Sequence, residues 1–360
     1  MGVLDVRKVA VIGVGNSKFG VRNDVTISEL AFEAVKPSLQ DAGLAAKDIE
    51  YVALGSVGAG AWYEELLPAV VVSEYCGMTG AGLVRCEAAC ASGSAAFFTA
   101  YSAIASGQAD VAMALGAEKM REIDNATSME WIGRAGYYLW EFHNFGITFP
   151  AYYALYATAH MARFGTTEED LALVAVKNHK YAVMNPIAHL HNKVTVDDVL
   201  SSMVIASPLK LYDCCPLTDG SSSIILASEE KVKELKLKPL VRVVANAVVG
   251  SDPEIMLTGP IYVTPKVLTK AGLSMDDIEI FEINEAFAPI PLAWAKELKA
   301  DRSKLNVNGG ALALGHPVGN SGCRLTVTAI NELMRRKARY ALVSLCTGGG
   351  MAPATIIERV

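Results

Sequence analysis

Apolar stretches of two lengths alternate along this chain. The first, VAVIGVG, ends at Gly15 and reads as a strand. A helical pattern follows, then AGLAAKDIE ending at Glu50, a second short strand, the glycine-flanked helix SGSAAFFTAYSAIASG and the strand DVAMALGA at 110–117. The series then recurs. AGLSMDDIE ends at Glu279, 229 positions beyond its counterpart, and the same offset carries Ser92-Gly93 onto Ser321-Gly322 and DVAMALGA onto RYALVSLC. VAVIGVG is matched by VANAVVG, which ends at Gly250, at an offset of 235, so the second copy is about six residues shorter near its start.

Strands alternating with helical patterns predict a layered α/β fold with largely parallel pairing. The middle helix of each copy, SGSAAFFTAYSAIASG or SGCRLTVTAINELMRR, is apolar nearly all round and belongs in an interior. Joining the copies buries these two helices against each other between two sheets, which gives five layers, α-β-α-β-α. Residues 119–214 interrupt the repeat with an aromatic-rich stretch, EWIGRAGYYLWEFHNFGITFPAYYALYATAHMARF, and the amphipathic helix TTEEDLALVAVKNHKYAVMNP. Thr166 or Thr167 caps that helix, and Glu168 and Glu169 lie in its first turn. The strand DGSSSIILAS (219–228) returns the chain to the first sheet. The expected division is a first half at 1–118 and 215–238, an inserted loop subdomain at 119–214, and a second half at 239–360.

Composition narrows the partners. Of 360 residues, 52 % are hydrophobic and 19 % charged, the balance of a heavily buried globular protein. A net charge of -6 and no block of basic residues argue against nucleic acid as a partner, while leaving room for a local cationic patch. The N-terminus carries neither a signal peptide nor, after Met1-Gly2, the residue a myristoylation signal needs, and no apolar run reaches membrane-spanning length. A soluble, cytoplasmic protein is expected. Seven cysteines at irregular spacing, with no CxxC, fit neither a disulfide framework nor a zinc ribbon. His179, His189 and His191 lack a supporting carboxylate or cysteine pattern, so no metal is expected.

Chemistry is sought where the copies differ. At the offset of 229, Cys90 stands opposite Gly319, Asn284 opposite Gly55, His316 opposite Glu87 and Cys346 opposite Ala117. Cys90, in EAACASGSAAF, opens a helix whose unpaired N–H groups lower a thiol's pKa; it is equally a buried cysteine in a small-residue turn. Cys346, in SLCTGGGMA, ends a strand before a glycine run that lets backbone N–H groups approach a ligand, or simply makes a tight turn. His316 lies in NVNGGALALGHPVGNSG, where Pro317 favours an extended histidine and the glycines permit a bent loop. Asn284-Glu285 ends an apolar strand and either faces a cleft or begins a helix. Together these supply a nucleophile, a base, a second thiol to move a proton and an amide for an oxyanion.

The blocks CASG at 90–93, NEAFA at 284–288, NVNGGALALGHPVGNSGCR at 306–324 and CTGGGMA at 346–352 resemble, in this order, those of the thiolase superfamily. The resemblance spans essentially the whole chain. It implies two similar halves, a loop subdomain inserted in the first, dimers or tetramers, and coenzyme A thioesters as substrates with no permanently bound cofactor. Carried over, Cys90 is the acylated nucleophile and His316 activates it. Asn284 acts on the thioester oxygen through a water, and Cys346 moves the proton at the α-carbon. The N–H groups of Cys90 and Gly348 form a second oxyanion hole. EAACASG in place of VCSSG, GNSG in place of GASG and a shorter insertion look more like the sterol-carrier-type and archaeal branch. Coenzyme A is anionic, and Arg163, Lys177, Lys180, Lys193 and Lys210 offer charge in or beside the insertion, unless they form a solvated face. The expected activity is that of an acetyl-CoA C-acetyltransferase, forming or cleaving acetoacetyl-CoA. Two alternatives remain open. One is a non-catalytic scaffold for an acyl group or lipid, working with hydroxymethylglutaryl-CoA synthase and an OB-fold bridging protein. The other is a carbon acyltransferase with a non-CoA acceptor.

Overall fold

A computed structural model describes residues 6–253 and 256–360, so the Met1-Gly2 start lies outside the described residues. The first half runs β1 (Val9–Asn16), α1 (Ile27–Ala42), β2 (Tyr51–Gly55), α2 (Pro68–Tyr75), β3 (Gly82–Cys86), α3 (Ser92–Ala105) and β4 (Val111–Glu118). Between 119 and 214 lie α4 (Asn125–Gly133), α5 (Phe149–Phe164), α6 (Glu168–Ala182), α7 (Val196–Leu200) and a small hairpin, β5 (Val204–Ala206) with β6 (Leu209–Lys210). The chain returns through β7 (Gly220–Ser228) and α8 (Glu229–Glu234). It continues as β8 (Val241–Gly250), α9 (Gly259–Ala271), β9 (Ile280–Ile283), α10 (Pro289–Leu298), α11 (Ala311–Leu314), α12 (Ser321–Arg336), β10 (Tyr340–Ser344) and β11 (Met351–Arg359).

The repeat persists in three dimensions. Tyr51 opens β2 and Ile280 opens β9, Ser92 opens α3 and Ser321 opens α12, Val111 opens β4 and Tyr340 opens β10, each pair at the offset of 229. Even the helix stops agree: Gly43 ends α1 and Gly272 ends α9, both left-handed, at φ 67° and 68°. Thr167, rather than Thr166, caps α6, its hydroxyl accepting from Asp170 N at 3.2 Å while the Asp170 carboxylate returns to Thr167 N.

Strand pairing departs from the parallel expectation. The strand order is β3-β2-β4-β7-β1 followed by β8-β11-β10-β9. β2 is parallel to β3 and β4, and β9 is parallel to β10, but β7 and β11 run antiparallel to both of their neighbours. For β11 the reason is connection length. Only residues 345–350 separate β10 from β11, too few for a crossover, so the chain must double back. The two halves of the sheet are also not separate. β1 and β8 pair over two residues, Ala10 with Arg242 and Val11 with Val241, and join them at one edge.

Five layers result. α1 covers β1 and β7 on one outside; α9 covers β8 and β11 on the other. Between the sheets, α3 packs on β2 and β4, α12 packs on β9 and β10, and the two helices pack on each other. Their contact is backbone to backbone: a Cβ on Gly93 would sit 2.8 Å from Cys323 N, and one on Gly322 would sit 2.2 Å from Ser94 N. That approach is the physical reason Ser-Gly recurs at the start of both inner helices.

Candidate active site

Cys90 lies in a 3₁₀ turn, Ala89–Ala91, immediately before α3. Ala89 holds φ at 46°, an uncommon value for a residue with a Cβ, and side chains lock the turn around it. Ser92 Oγ accepts from Ala88 N at 2.9 Å and donates to Ala89 O at 2.7 Å, while Glu87 accepts from Ala89 N at 2.6 Å. The thiol is 5 % exposed. Burial pushes it up to about 12, against the opposing hydrogen bonds of Gly348 N–H and its own N–H. The helix start therefore does not by itself ionise this cysteine, because desolvation outweighs the nearby N–H groups. A base is needed to take its proton.

Cys346 follows β10 and is buried to 1 % exposure, its thiol raised well above the ordinary value by burial first and by Cys90 next. Two residues that sequence reasoning passed over share this centre. Cys215 is fully within electrostatic reach of Cys90, and Tyr153 of α5 reaches Cys90, Cys346 and Cys215 alike. The Tyr153 ring stacks on Phe287 of the NEAFA block, with centroids 3.9 Å apart. The insertion thus contributes an aromatic wall to the thiols.

Asn284 sits one residue past β9, its N–H donating to Ser344 O at 3.0 Å. Its amide Nδ2 is 3.3 Å from His316 Nε2, and its Oδ1 accepts from Arg324 Nη2 at 2.9 Å. His316 Nδ1 is 2.5 Å from Ser321 Oγ, which donates to Pro317 O at 2.9 Å. Burial, with the Arg324 charge adding to it, lowers His316 to about 3, so the imidazole is neutral. Glu118 at the end of β4 is a further residue the motifs did not flag. Its carboxylate accepts from Val57 N at 2.8 Å, Gly58 N at 3.0 Å and Gly319 N at 3.0 Å, tying the loop after β2 to the loop of His316. Burial raises it to about 7 despite those bonds.

The thiol and the imidazole open on adjoining cavities. Cys90 lines one of about 310 Å³ together with Gly58, Trp62, Trp131 and Arg134. His316 lines one of about 650 Å³ with Cys215, Phe287, His189 and Arg121. Ile132, Phe149 and Val318 belong to both walls. Cys90, Gly348 and Cys346 thus converge at one buried centre, and Asn284 with His316 at the next. The five cations expected to hold coenzyme A line neither cavity. Arg163 pairs with Glu297 at 2.7 Å and Lys210 pairs with Glu168. Lys177 donates to Leu305 O at 2.8 Å with Glu285 4.0 Å away. Lys180 and Lys193 also line neither cavity; Arg121 lines the larger and Arg134 the smaller. His189 donates through Nδ1 to Thr218 Oγ1 at 2.9 Å, and His179 pairs with Asn192 O at 2.8 Å. Among the described residues no three His, Cys, Asp or Glu side chains gather as a metal cluster would.

Comparison with known proteins matches residues 9–230 to "Thiolase, N-terminal domain" and residues 237–359 to "Thiolase, C-terminal domain". This chain belongs to the thiolase family. It is 32 % identical to an acetyl-CoA acetyltransferase of Methanothermobacter thermautotrophicus over 91 % of both chains. It is 35 % identical to a steroid 3-ketoacyl-CoA thiolase of Mycobacterium tuberculosis over 83 % of this chain and 77 % of that one. Human mitochondrial 3-ketoacyl-CoA thiolase in complex with CoA superposes with a TM-score of 0.88 at 27 % identity, over 100 % of this thiolase and 99 % of that chain. The Bacillus anthracis acetyl-CoA acetyltransferase gives 0.85 at 27 % identity over 99 % and 100 %. The thiolase described here is an acyltransferase with the family's layered α/β fold. Among its described residues no helix is long and apolar enough to cross a membrane.

Proposed function

We propose that this thiolase transfers an acyl group between coenzyme A thioesters by way of Cys90, and that its principal reaction is formation or cleavage of acetoacetyl-CoA. The observation that carries the reading is the meeting of two thiols with the Cys90 and Gly348 N–H groups at one buried centre, with a neutral imidazole on the adjoining cavity. His316 takes the proton of the Cys90 thiol, and the thiolate sulfur attacks the thioester carbonyl. The carbonyl π electrons move to oxygen, where Asn284 and His316 supply donors. As the carbonyl re-forms, the bond to the coenzyme A sulfur breaks, and that thiolate recovers the proton from His316. In the second half, Cys346 first gives its thiol proton to the neutral His316, and the resulting thiolate removes a proton from the α-carbon of a second acetyl-CoA. The carbanion attacks the acyl carbon on Cys90, the oxyanion rests between the N–H groups of Cys90 and Gly348, and the Cys90 thiolate leaves and takes up the proton held on His316. Cleavage runs the same steps backwards.

On this reading residues 1–118 with 215–238 and residues 239–360 are the two halves that carry the chemistry, and 119–214 is a subdomain that walls the substrate. The enzyme works in the cytoplasm as a homodimer or homotetramer. The exposed apolar side chains of Leu66, Leu67, Val70, Val71 and Tyr75, beside the edge strand β3, support a self-association surface. Association with hydroxymethylglutaryl-CoA synthase through an OB-fold protein is a secondary proposal, tested by turnover with and without those partners.

Two variants test the chemistry. Cys90→Ala abolishes covalent labelling by radiolabelled acetyl-CoA. Cys346→Ala retains that labelling but loses condensation by at least a hundredfold, on the order of the contribution of one general acid–base group. Labelling of a side chain other than Cys90, or equal loss of both steps in Cys346→Ala, would overturn the assignment.

A further inference from the structure

One direction of hydrogen bonding alone satisfies the row of groups that runs from Arg324 to the start of α12. A guanidinium has donors and no acceptor. Arg324 Nη2 must therefore donate to the atom 2.9 Å away, and that atom must be Asn284 Oδ1. The amide is thereby fixed. Its Nδ2, which only donates, faces His316 Nε2 at 3.3 Å, so Nε2 must be the nitrogen without a proton. The single proton of the neutral ring then sits on Nδ1 and goes to Ser321 Oγ at 2.5 Å. Ser321 in turn gives its own proton to Pro317 O at 2.9 Å. Reversing any member sets two donors face to face.

We propose that Arg324 is the positioning residue of this site: by holding the Asn284 amide in one orientation it selects the Nδ1–H tautomer of His316 and leaves Nε2 as the ring's base. The placement of Arg324 is hard to explain otherwise. It is wholly buried, yet among the described residues its Nε and Nη1 have no hydrogen-bond partner, and neither side-chain oxygen of the buried Glu282 has one. Glu282 and Glu285 reach it only through space, and burial raises Glu282 to about 8. A buried guanidinium used for stability alone would hydrogen-bond those carboxylates. Instead, its bond goes to Asn284. Helical spacing completes the device, because Ser321 and Arg324 are three residues apart on α12 and fall on one face. One helical turn thus holds both ends of the row.

The row of bonds stands whatever the reaction. Its consequence for turnover rests on His316 acting as the base for Cys90. The test begins with the unaltered protein, labelled with ¹⁵N in its histidine rings, the His316 signals being assigned by their loss in His316→Gln. The expected spectrum has a protonated Nδ1 and a bare Nε2; a proton on Nε2 in the resting protein overturns the proposal. Arg324→Met should mix the tautomers and lower kcat by roughly ten- to a hundredfold, the range for one hydrogen bond to a charged group, with KM little changed. Arg324→Lys, which keeps a charged donor, should recover part of both the spectrum and the rate. A folded Arg324→Met protein with the original spectrum and kcat also overturns it. Should that variant not fold, the spectrum of the unaltered protein decides. If that spectrum is as expected while Cys90 accepts no acyl group, acyl transfer fails as the function and the tautomer assignment survives.

Discussion

His160 is a buried base that the reaction does not use. It lies on α5 with 4 % exposure, between Phe164 and Tyr156, and among the described residues neither ring nitrogen has a hydrogen-bond partner. Burial, then the charges of Lys296 and Arg163, lower it to about 4 from 6.5, against the attraction of Asp170. The unfolded chain therefore binds a proton more readily than the folded one. Stability from this residue is complete above pH 6.5 and is lost as pH falls through 6.5 toward about 4. His160→Phe should flatten that acid limb, recovering about 2 kcal/mol at pH ~5 relative to neutral pH, as read from urea unfolding at both. An unchanged slope would show that His160 is solvated. Residues of this kind mark the limit of sequence reading. Cys90, Asn284, His316 and Cys346 were legible as candidates because each departs from its own repeat partner and sits in a glycine-rich or strand-end context. Tyr153, Cys215, Glu118 and Arg324 were not. Their meaning comes from neighbours far along the chain, such as Gly319 for Glu118 and Cys90 for Cys215.

The decisive elements are the two inner helices. α3 and α12 meet through Gly93 and Gly322, and their first turns carry the chain directly out of the Cys90 turn and the His316 loop. Gly322→Ala has no space, because the new Cβ would approach Ser94 N to 2.2 Å and neither backbone can yield independently. We expect a loss of about 1–3 kcal/mol, measured by denaturant unfolding, with a larger fractional loss of turnover than of stability as the thiol and imidazole move apart. Retention of full activity would show that the seam does not set the site. At this scale helices were read well, since apolar pattern, caps and the repeat agree, as at Gly43 and Gly272. Strand direction was not. The apolar segment APATII after the glycine run was given no strand in the sequence reading, and its pairing as β11 against both β10 and β8, like that of β7 against β4 and β1, makes much of the sheet antiparallel. Nothing local in a strand declares the hand of its neighbour.

For the whole molecule, the surface beside α2 predicts its company. Leu66 is 72 % exposed and Leu67 is 67 % exposed, next to a sheet edge that ends at β3. Monomers seldom leave such side chains in water beside an open edge. The thiolase should elute in gel filtration coupled to light scattering at twice or four times 38.3 kDa, and Leu67→Glu should shift it toward the single-chain mass. A monomer before substitution would remove this surface as the contact. The two-copy plan was visible in sequence through its offset of 229, but the edge that joins the copies, Ala10–Val11 with Val241–Arg242, was not, since two paired residues leave no periodic trace.

The kinship of α3 and α12 also bears on ancestry. Two identical copies facing one another would own two equivalent mouths, each able to host the same chemistry. In the proposed reaction one copy supplies the nucleophilic sulfur, while the amide, the imidazole and the second sulfur all belong to the other. Carrying both copies in a single polypeptide guarantees that unlike partners face each other, where identical separate copies would pair only like with like.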